Sequence, residues 1–293
     1  MLSLLDTNAL NLLNGVAMGA VLFLIAVGLS LVFGTMSVLN LAHGAVSLIG
    51  AYMGVALLDT DPTTGNFIAA VLAAAAIGLA AGVVLATMTS SVDDHLRQAL
   101  LTLGVALIAG DVLREIFGAD VKSVPSPESL AGSVNVFGNQ YPTYRLVVIA
   151  IGAVIAVLLY VVLERTQVGA IVRATVADRA MVEAIGIRTN VVMAGVFGAG
   201  AALAAVGGVL AGPILGARPG LDNTILLLAL VVVVIGGLGS VRGALLGALL
   251  VGQVQTLGVA LLSDYASFLM FGAMALVLIV RPRGLLPAQI GAH

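Results

Sequence analysis

"VLNLAHGAVSLIGAY", residues 38–52, places an asparagine and a histidine three positions apart in a stretch that is otherwise almost wholly apolar. It sits within a longer run, residues 7–58, that contains no Asp, Glu, Lys or Arg. At about 1.5 Å rise per helical residue, that run is long enough to cross a roughly 30 Å hydrocarbon core twice. The rest of the chain has the same character, with 61% hydrophobic and 9% charged residues and a mean hydropathy of +1.19. A soluble domain carries roughly a quarter charged residues. The composition therefore predicts an all-α integral membrane protein, because isolated strands cannot satisfy their backbone groups in lipid.

Charge-poor runs predict spans near Leu10–Phe33, Val38–Leu58, Phe67–Met88, Gln98–Phe117, Leu146–Leu163, Val191–Leu215, Ile225–Ile235, Ala244–Leu262 and Phe268–Val280. This is a polytopic helical bundle in a single transmembrane domain, residues 1–293, with about eight or nine membrane-embedded helices. Ile225–Ile235 is short for a crossing, and the glycine-interrupted region from Gly236 onward reads as a broken or re-entrant helix. The N-terminus, MLSLLDTNALN, has no basic region and no small-residue cleavage site, so the first apolar segment is expected to remain in the mature protein.

Lys and Arg gather in cytoplasmic loops. With the N-terminus outside, Arg97, Arg165, Arg173, Arg179, Arg188, Arg242, Arg281 and Arg283 fall on the inner side, eight of the 12 basic residues, and the C-terminus is inside. Acids such as Asp59, Asp61, Glu128 and Asp222 are then assigned to the outer side. Two polar stretches exceed ordinary turns. Gly118–Tyr144, with Pro125, Pro127 and Pro142, reads as an external loop with irregular or short strand structure. Glu164–Asn190 lacks proline, and Val168, Ile171, Val172, Met181, Val182 and Ile185 recur among charges at helix-like intervals. It is expected to form one or two amphipathic helices on the cytoplasmic side.

Several chemistries are excluded or unsupported. The only lysine, Lys122, lies in the proline-containing loop, so no phosphate-cradling P-loop and no ATPase site of the chain's own is available. His43, His95 and His293 have no metal-ligand spacing and there is no cysteine, so neither a metal site nor a disulfide is expected. A net charge of −2 argues against nucleic acid as a partner. No hydrolase signature appears, and the chain reads as a transport subunit rather than an enzyme, with no cofactor.

On one helix, Asn40, His43 and Ser47 would share a narrow face. Such a polar face must point at protein or water. Two readings follow: interhelical hydrogen bonding, or the lining of a translocation route. Asp111, Arg114 and Glu115, three and four positions apart, read first as an ion pair near the outer surface and second as a gate. "GAGAALAAVGGVLAG", residues 198–212, is material for close helix packing. A faint echo between residues 44–54 and 243–252 admits an internal repeat or two similar packing helices.

Taken together, "GLSLVFGTMSVLNLAHGAVSLIGAYMG" (28–54), "ERTQVG" (164–169), "VIGGLGSVRGALLGALLVG" (234–252) and "RPRGLLP" (281–287) resemble the permease family of branched-chain amino acid ABC importers, the shorter of its two permease types. The resemblance spans nearly the whole chain. One departure is Ala45, where the family often has an acid after His-Gly; this loosens the transfer of substrate, since the family also includes importers of urea, short amides and small organic acids. The resemblance implies a multi-pass protein of a bacterial or archaeal cytoplasmic membrane. It also implies a second permease subunit, two ATP-binding cassette subunits that use the ATP, and an extracytoplasmic solute-binding protein. It places the ATPase-coupling element at 164–190, where "VEAIGI" (182–187) loosely resembles the family's cytoplasmic Glu-Ala-x-x-Gly type of motif. Arg173, Asp178, Arg179, Val182, Glu183, Ile185 and Gly186 are its candidate coupling residues, and Asn40, His43 and Ser47 the candidate pathway residues. The competing function is a passive channel for a small polar solute, for which the amphipathic 164–190 segment would have little use. A proton- or sodium-coupled carrier titrating Asp111 is a third possibility, though such carriers usually have more buried carboxylates.

Overall fold

The computed structural model describes residues 2–36, 39–92, 94–136 and 138–286. Its helices are α1 (Leu2–Met36), α2 (His43–Leu58), α3 (Thr64–Ser90), α4 (His95–Phe117), α5 (Thr143–Arg165), α6 (Gln167–Ala177), α7 (Arg179–Ala184), α8 (Thr189–Leu215), α9 (Leu221–Gly236), α10 (Val241–Leu261) and α11 (Ala266–Val280). Between α4 and α5 lies an antiparallel hairpin, β1 (Ser133–Val136) with β2 (Asn139–Pro142). The predicted spans fall on α1–α5 and α8–α11, while α6 and α7 occupy the amphipathic segment. Among the described residues, five segments can cross a membrane by length and composition: Leu10–Gly34 within α1, and α3, α5, α8 and α10.

The bundle has two ends. Around the hairpin lie the starts of α1, α3 and α5; around the arginines of the α5–α8 connection lie the starts of α4, α8 and α10. Helices α1 and α8 therefore run in opposite directions, and they cross at glycines. A Cβ on Gly28 would stand 2.3 Å from the Gly200 carbonyl oxygen, and one on Gly200 would stand 2.9 Å from that of Gly28. Without a hydrophobic drive between helices in lipid, such close backbone contact is how they associate. The 198–212 stretch serves this purpose on several sides: Gly208 lies against the Ser47 carbonyl of α2, and Gly198 and Ala201 lie against Gly82 and Gly78 of α3. Helix α10 packs on α1 through Gly252 and Gly19. Helix α1 is thus enclosed, with 89% of its span buried, which accounts for its all-round hydrophobicity.

The order long, short, long recurs: α1–α2–α3 and α8–α9–α10, with α10 on α1 as α3 is on α8. The repeat therefore pairs α2 with α9. The sequence echo of 44–54 with 243–252 joins α2 to α10 instead, and the packing does not support that pairing. Helices α2 and α9 have 16 residues each, about 24 Å, short of a full crossing. Each follows a non-helical segment that turns back into the bundle, Leu39–Ala42 and Gly216–Gly220 respectively. The glycines after Gly236 do not break a helix within the bundle; they form the turn between α9 and α10.

Candidate functional site

Non-helical backbone at membrane depth survives only where protein supplies its hydrogen bonds. For residues 39–42 the donor and acceptor come chiefly from α4: Thr102 Oγ1 accepts from the Leu41 N–H at 3.1 Å and donates toward the Leu39 carbonyl at 3.3 Å. Asn40 Oδ1 accepts from the Ala42 N–H at 3.1 Å, a local bond that asparagine offers in competition with helix. Helix α2 consequently starts at His43, and the single helical face expected for Asn40, His43 and Ser47 holds only for the last two. His43 Nε2 donates to the Ile25 carbonyl at 2.8 Å, which sets this joint beside the middle of α1. Asn40, His43 and Ser47 are all buried within the chain itself, at 1%, 0% and 0% exposure. Among the described residues, Asn40 Nδ2, His43 Nδ1 and Ser47 Oγ have no hydrogen-bond partner.

Helix α9 begins against the same place. Gly220 adopts φ +86°, a left-handed turn that favours glycine, and Asp222 follows in the first helical turn. A Cβ on Gly44 would meet the Asp222 carbonyl oxygen at 2.3 Å, so the first turns of α2 and α9 lie in direct contact inside the bundle. Two helix N-termini, each with partial positive charge, thus meet there. Asp222, which the sequence assigns to an outer loop, is only 9% exposed. Sequence reasoning missed both Asp222 and Thr102. Neither has a local signal, since the partner of each is remote in the chain.

The second candidate site is the α6–α7 segment. Thr166 caps α6 through the Gly169 N–H at 3.3 Å, and Gly169 packs so tightly on the last turn of α5 that a Cβ would stand 2.1 Å from the Leu163 carbonyl oxygen. Asp178 caps α7, accepting from the Met181 N–H at 2.9 Å, and Gly186 at φ +87° ends the connection. Arg179 donates to Glu183 at 2.9 Å and to Asn190 Oδ1 at 2.8 Å, while Thr189 donates to Glu183, so α7 is tied to the start of α8. The Thr189 hydrogen bond, then the Arg179 contacts, hold the Glu183 carboxyl below its ordinary range. Arg173 faces Glu164 at 4.0 Å, and Arg242 reaches the same carboxylate at 3.7 Å.

Of the candidate coupling residues, the fold gathers Asp178, Arg179, Glu183 and Gly186 into this joint, turns Arg173 toward α5 and buries Val182. Ile185 is exposed to 66%, with Met181 at 63% and Val168 at 62%. The predicted ion pair on α4 is not formed. Among the described residues the ion pairs are those of Glu164 with Arg173 and Arg242 and of Arg179 with Glu183, and Asp111, Arg114 and Glu115 all lie exposed.

Over residues 11–278 the sequence matches the family described as "Branched-chain amino acid transport system / permease component". The high-affinity branched-chain amino acid transport system permease protein LivH of Escherichia coli K12 is 30% identical over 288 residues, covering 93% of each chain. BraD, the corresponding permease protein of Pseudomonas aeruginosa, is 30% identical over 294 residues and 94% of each chain. Among solved structures, PsaBC from Streptococcus pneumoniae in complex with Fab aligns with a TM-score of 0.46 at 15% identity, covering 91% of this chain and 89% of that one. With a family match across most of its length and relatives aligned nearly end to end, the chain belongs to the permease family of branched-chain amino acid transport systems.

Proposed function

We propose that this chain forms, with an identical or homologous second permease subunit, the membrane pathway of an ABC importer for branched-chain or similar hydrophobic amino acids. Two ATP-binding cassette subunits dock at the arginine end, on the cytoplasmic side, and use the ATP; a solute-binding protein delivers solute to the hairpin end outside. The chain itself requires no cofactor.

The observation that carries this reading is the α6–α7 segment. It holds Met181 and Ile185 outward on a helix that is capped, tied by Arg179 and Glu183 to α8, and anchored inward by Val182. Exposed apolar side chains on a braced polar element fit the groove of a partner, with charged residues at the rim. The direct tie to α8, which packs on α1, α2 and α3, lets a movement of the partner reach the core helices. Asn40, His43 and Ser47 act in this scheme as the joint that holds the start of α2 at the middle of the pathway.

The test is Ile185→Asp in the reconstituted complex, with expression and membrane insertion as controls. Burying an isoleucine contributes about 1.5–3 kcal/mol, roughly a 10- to 150-fold change in affinity, and a buried unpaired aspartate adds to the loss. Uptake and solute-stimulated ATP hydrolysis should therefore fall together. Normal coupled transport after scrambling residues 178–187 would reject the coupling role. Undiminished uptake by the lone chain, with no ATPase bound, would favour a passive channel.

A further inference from the structure

Asp222 is an acid inside the bundle of a chain that keeps nearly all of its charges at the ends. Its depth follows from its neighbours. Its carbonyl oxygen packs on Gly44, one residue past the His43 side chain that bonds the middle of α1, and its Oδ2 lies 3.8 Å from where a Cβ of Gly110 would stand. Gly110 is seven residues before the end of α4, roughly 10 Å along the helix. At 9% exposure the side chain is largely removed from solvent.

An acid in a first turn is usually spent on the free N–H groups there, or on a basic partner. Asp222 does neither. Among the described residues its carboxylate makes no ion pair, and the cap position before α9 carries no side-chain hydrogen bond. On α2, the Tyr52 ring is stacked on Phe117 of α4 at 4.5 Å, and its hydroxyl is buried without a hydrogen-bond partner among the described residues. Among the described residues, two polar groups without a partner thus lie against α4, the Asp222 carboxylate at Gly110 and the Tyr52 ring at Phe117. The Asp222 carboxylate sets a full negative charge against the partial positive charges of the two N-termini, and with no protein donor it suits a cation that itself brings N–H donors.

We infer that Asp222, with the Tyr52 hydroxyl, receives the ammonium group of the transported amino acid where the first turns of α2 and α9 meet. This rests on the amino-acid reading of the transport function. It adds a named recognition group: the ammonium is paired inside the bundle.

The test is leucine uptake by the complete complex in vesicles, with yield of assembled complex and ATP hydrolysis stimulated by loaded binding protein as controls. Asp222→Asn keeps the shape and removes the charge. It should lower leucine uptake about 10- to 100-fold, the size expected for a hydrogen bond to a charged group, while assembly and stimulated hydrolysis persist. Asp222→Glu should recover part of the uptake. Tyr52→Phe removes a hydroxyl that no protein group uses, so it should leave assembly intact and reduce uptake. Wild-type leucine uptake by assembled Asp222→Asn overturns the assignment and leaves the transport reading standing. If Asp222→Asn fails to assemble, normal uptake by Tyr52→Phe overturns it instead. A wild-type complex that takes up no amine-bearing solute removes the amino-acid reading itself, and this assignment with it.

Discussion

Replacing Thr102 by valine tests the joint at the start of α2 with the least change of shape. The side chain is fully buried, and its hydroxyl is the partner of the Leu41 N–H at 3.1 Å, while its own proton is shared between the Ala99 carbonyl at 3.0 Å and the Leu39 carbonyl at 3.3 Å. Valine retains the volume but leaves the Leu41 N–H without an acceptor among packed helices. The Ala99 carbonyl keeps its place in the helix and the Leu39 carbonyl loses only the longer, shared contact, so the damage is chiefly one orphaned donor. Leaving such a group unsatisfied costs about 1–3 kcal/mol, whereas the gain per interhelical hydrogen bond measured in membranes averages only about 0.6 kcal/mol. The expected destabilisation is therefore about 1–2 kcal/mol. The assay is equilibrium unfolding of the purified chain in mixed micelles, with Thr102→Ser as the control that keeps the hydroxyl and loses the methyl. Thr102→Ser should lose less than Thr102→Val. Equal loss in both, or none in Thr102→Val, would refute the view that this hydroxyl supports the break.

A Cβ on Gly208 would stand 1.9 Å from the Ser47 carbonyl oxygen, so Gly208→Ala should force α2 off α8 and reduce the yield of folded protein; Gly195→Ala, with nothing within 4 Å, should raise helix stability by about 0.5–1 kcal/mol in the same unfolding assay. The Glu183 carboxyl titrates below its ordinary value, so what its charge adds to the α7 joint is present above the unfolded value, about 4.3, and is lost as pH falls through the lower folded value. Amide exchange in α7 and the first turn of α8 should accelerate in that acid range, and Glu183→Gln should abolish the pH dependence; a pH-independent exchange rate in the wild type would count against this link. Arg179→Ala removes the donors to both Glu183 and Asn190 and should loosen α7 at neutral pH, read by the same exchange measurement.

The membrane class, the helical elements and the amphipathic 164–190 segment were legible in the amino-acid order because each depends on local pattern. Absence of charge over about 20 residues, or apolar recurrence every three to four, acts within one helix whatever surrounds it. The small residues of 198–212 could be read as packing material for a similar reason, since in lipid close approach needs them.

The break before α2 was decided chiefly by tertiary structure. Residues 39–42, LNLA, contain neither glycine nor proline; beside the local Asn40 bond to the Ala42 N–H, what holds them open is a threonine 61 residues away at Leu41 and 63 away at Leu39. The α4 charges show the converse, since a helical spacing of three or four offers an ion pair without compelling one. The environment of Asp222 was likewise out of reach. In sequence it is an acid beside a glycine-proline turn, and only the packing of α9 on Gly44 carries it into the bundle. Local pattern sets which segments are helical and apolar; which remote segments supply the hydrogen bonds and the burial is set by the packing of the whole chain.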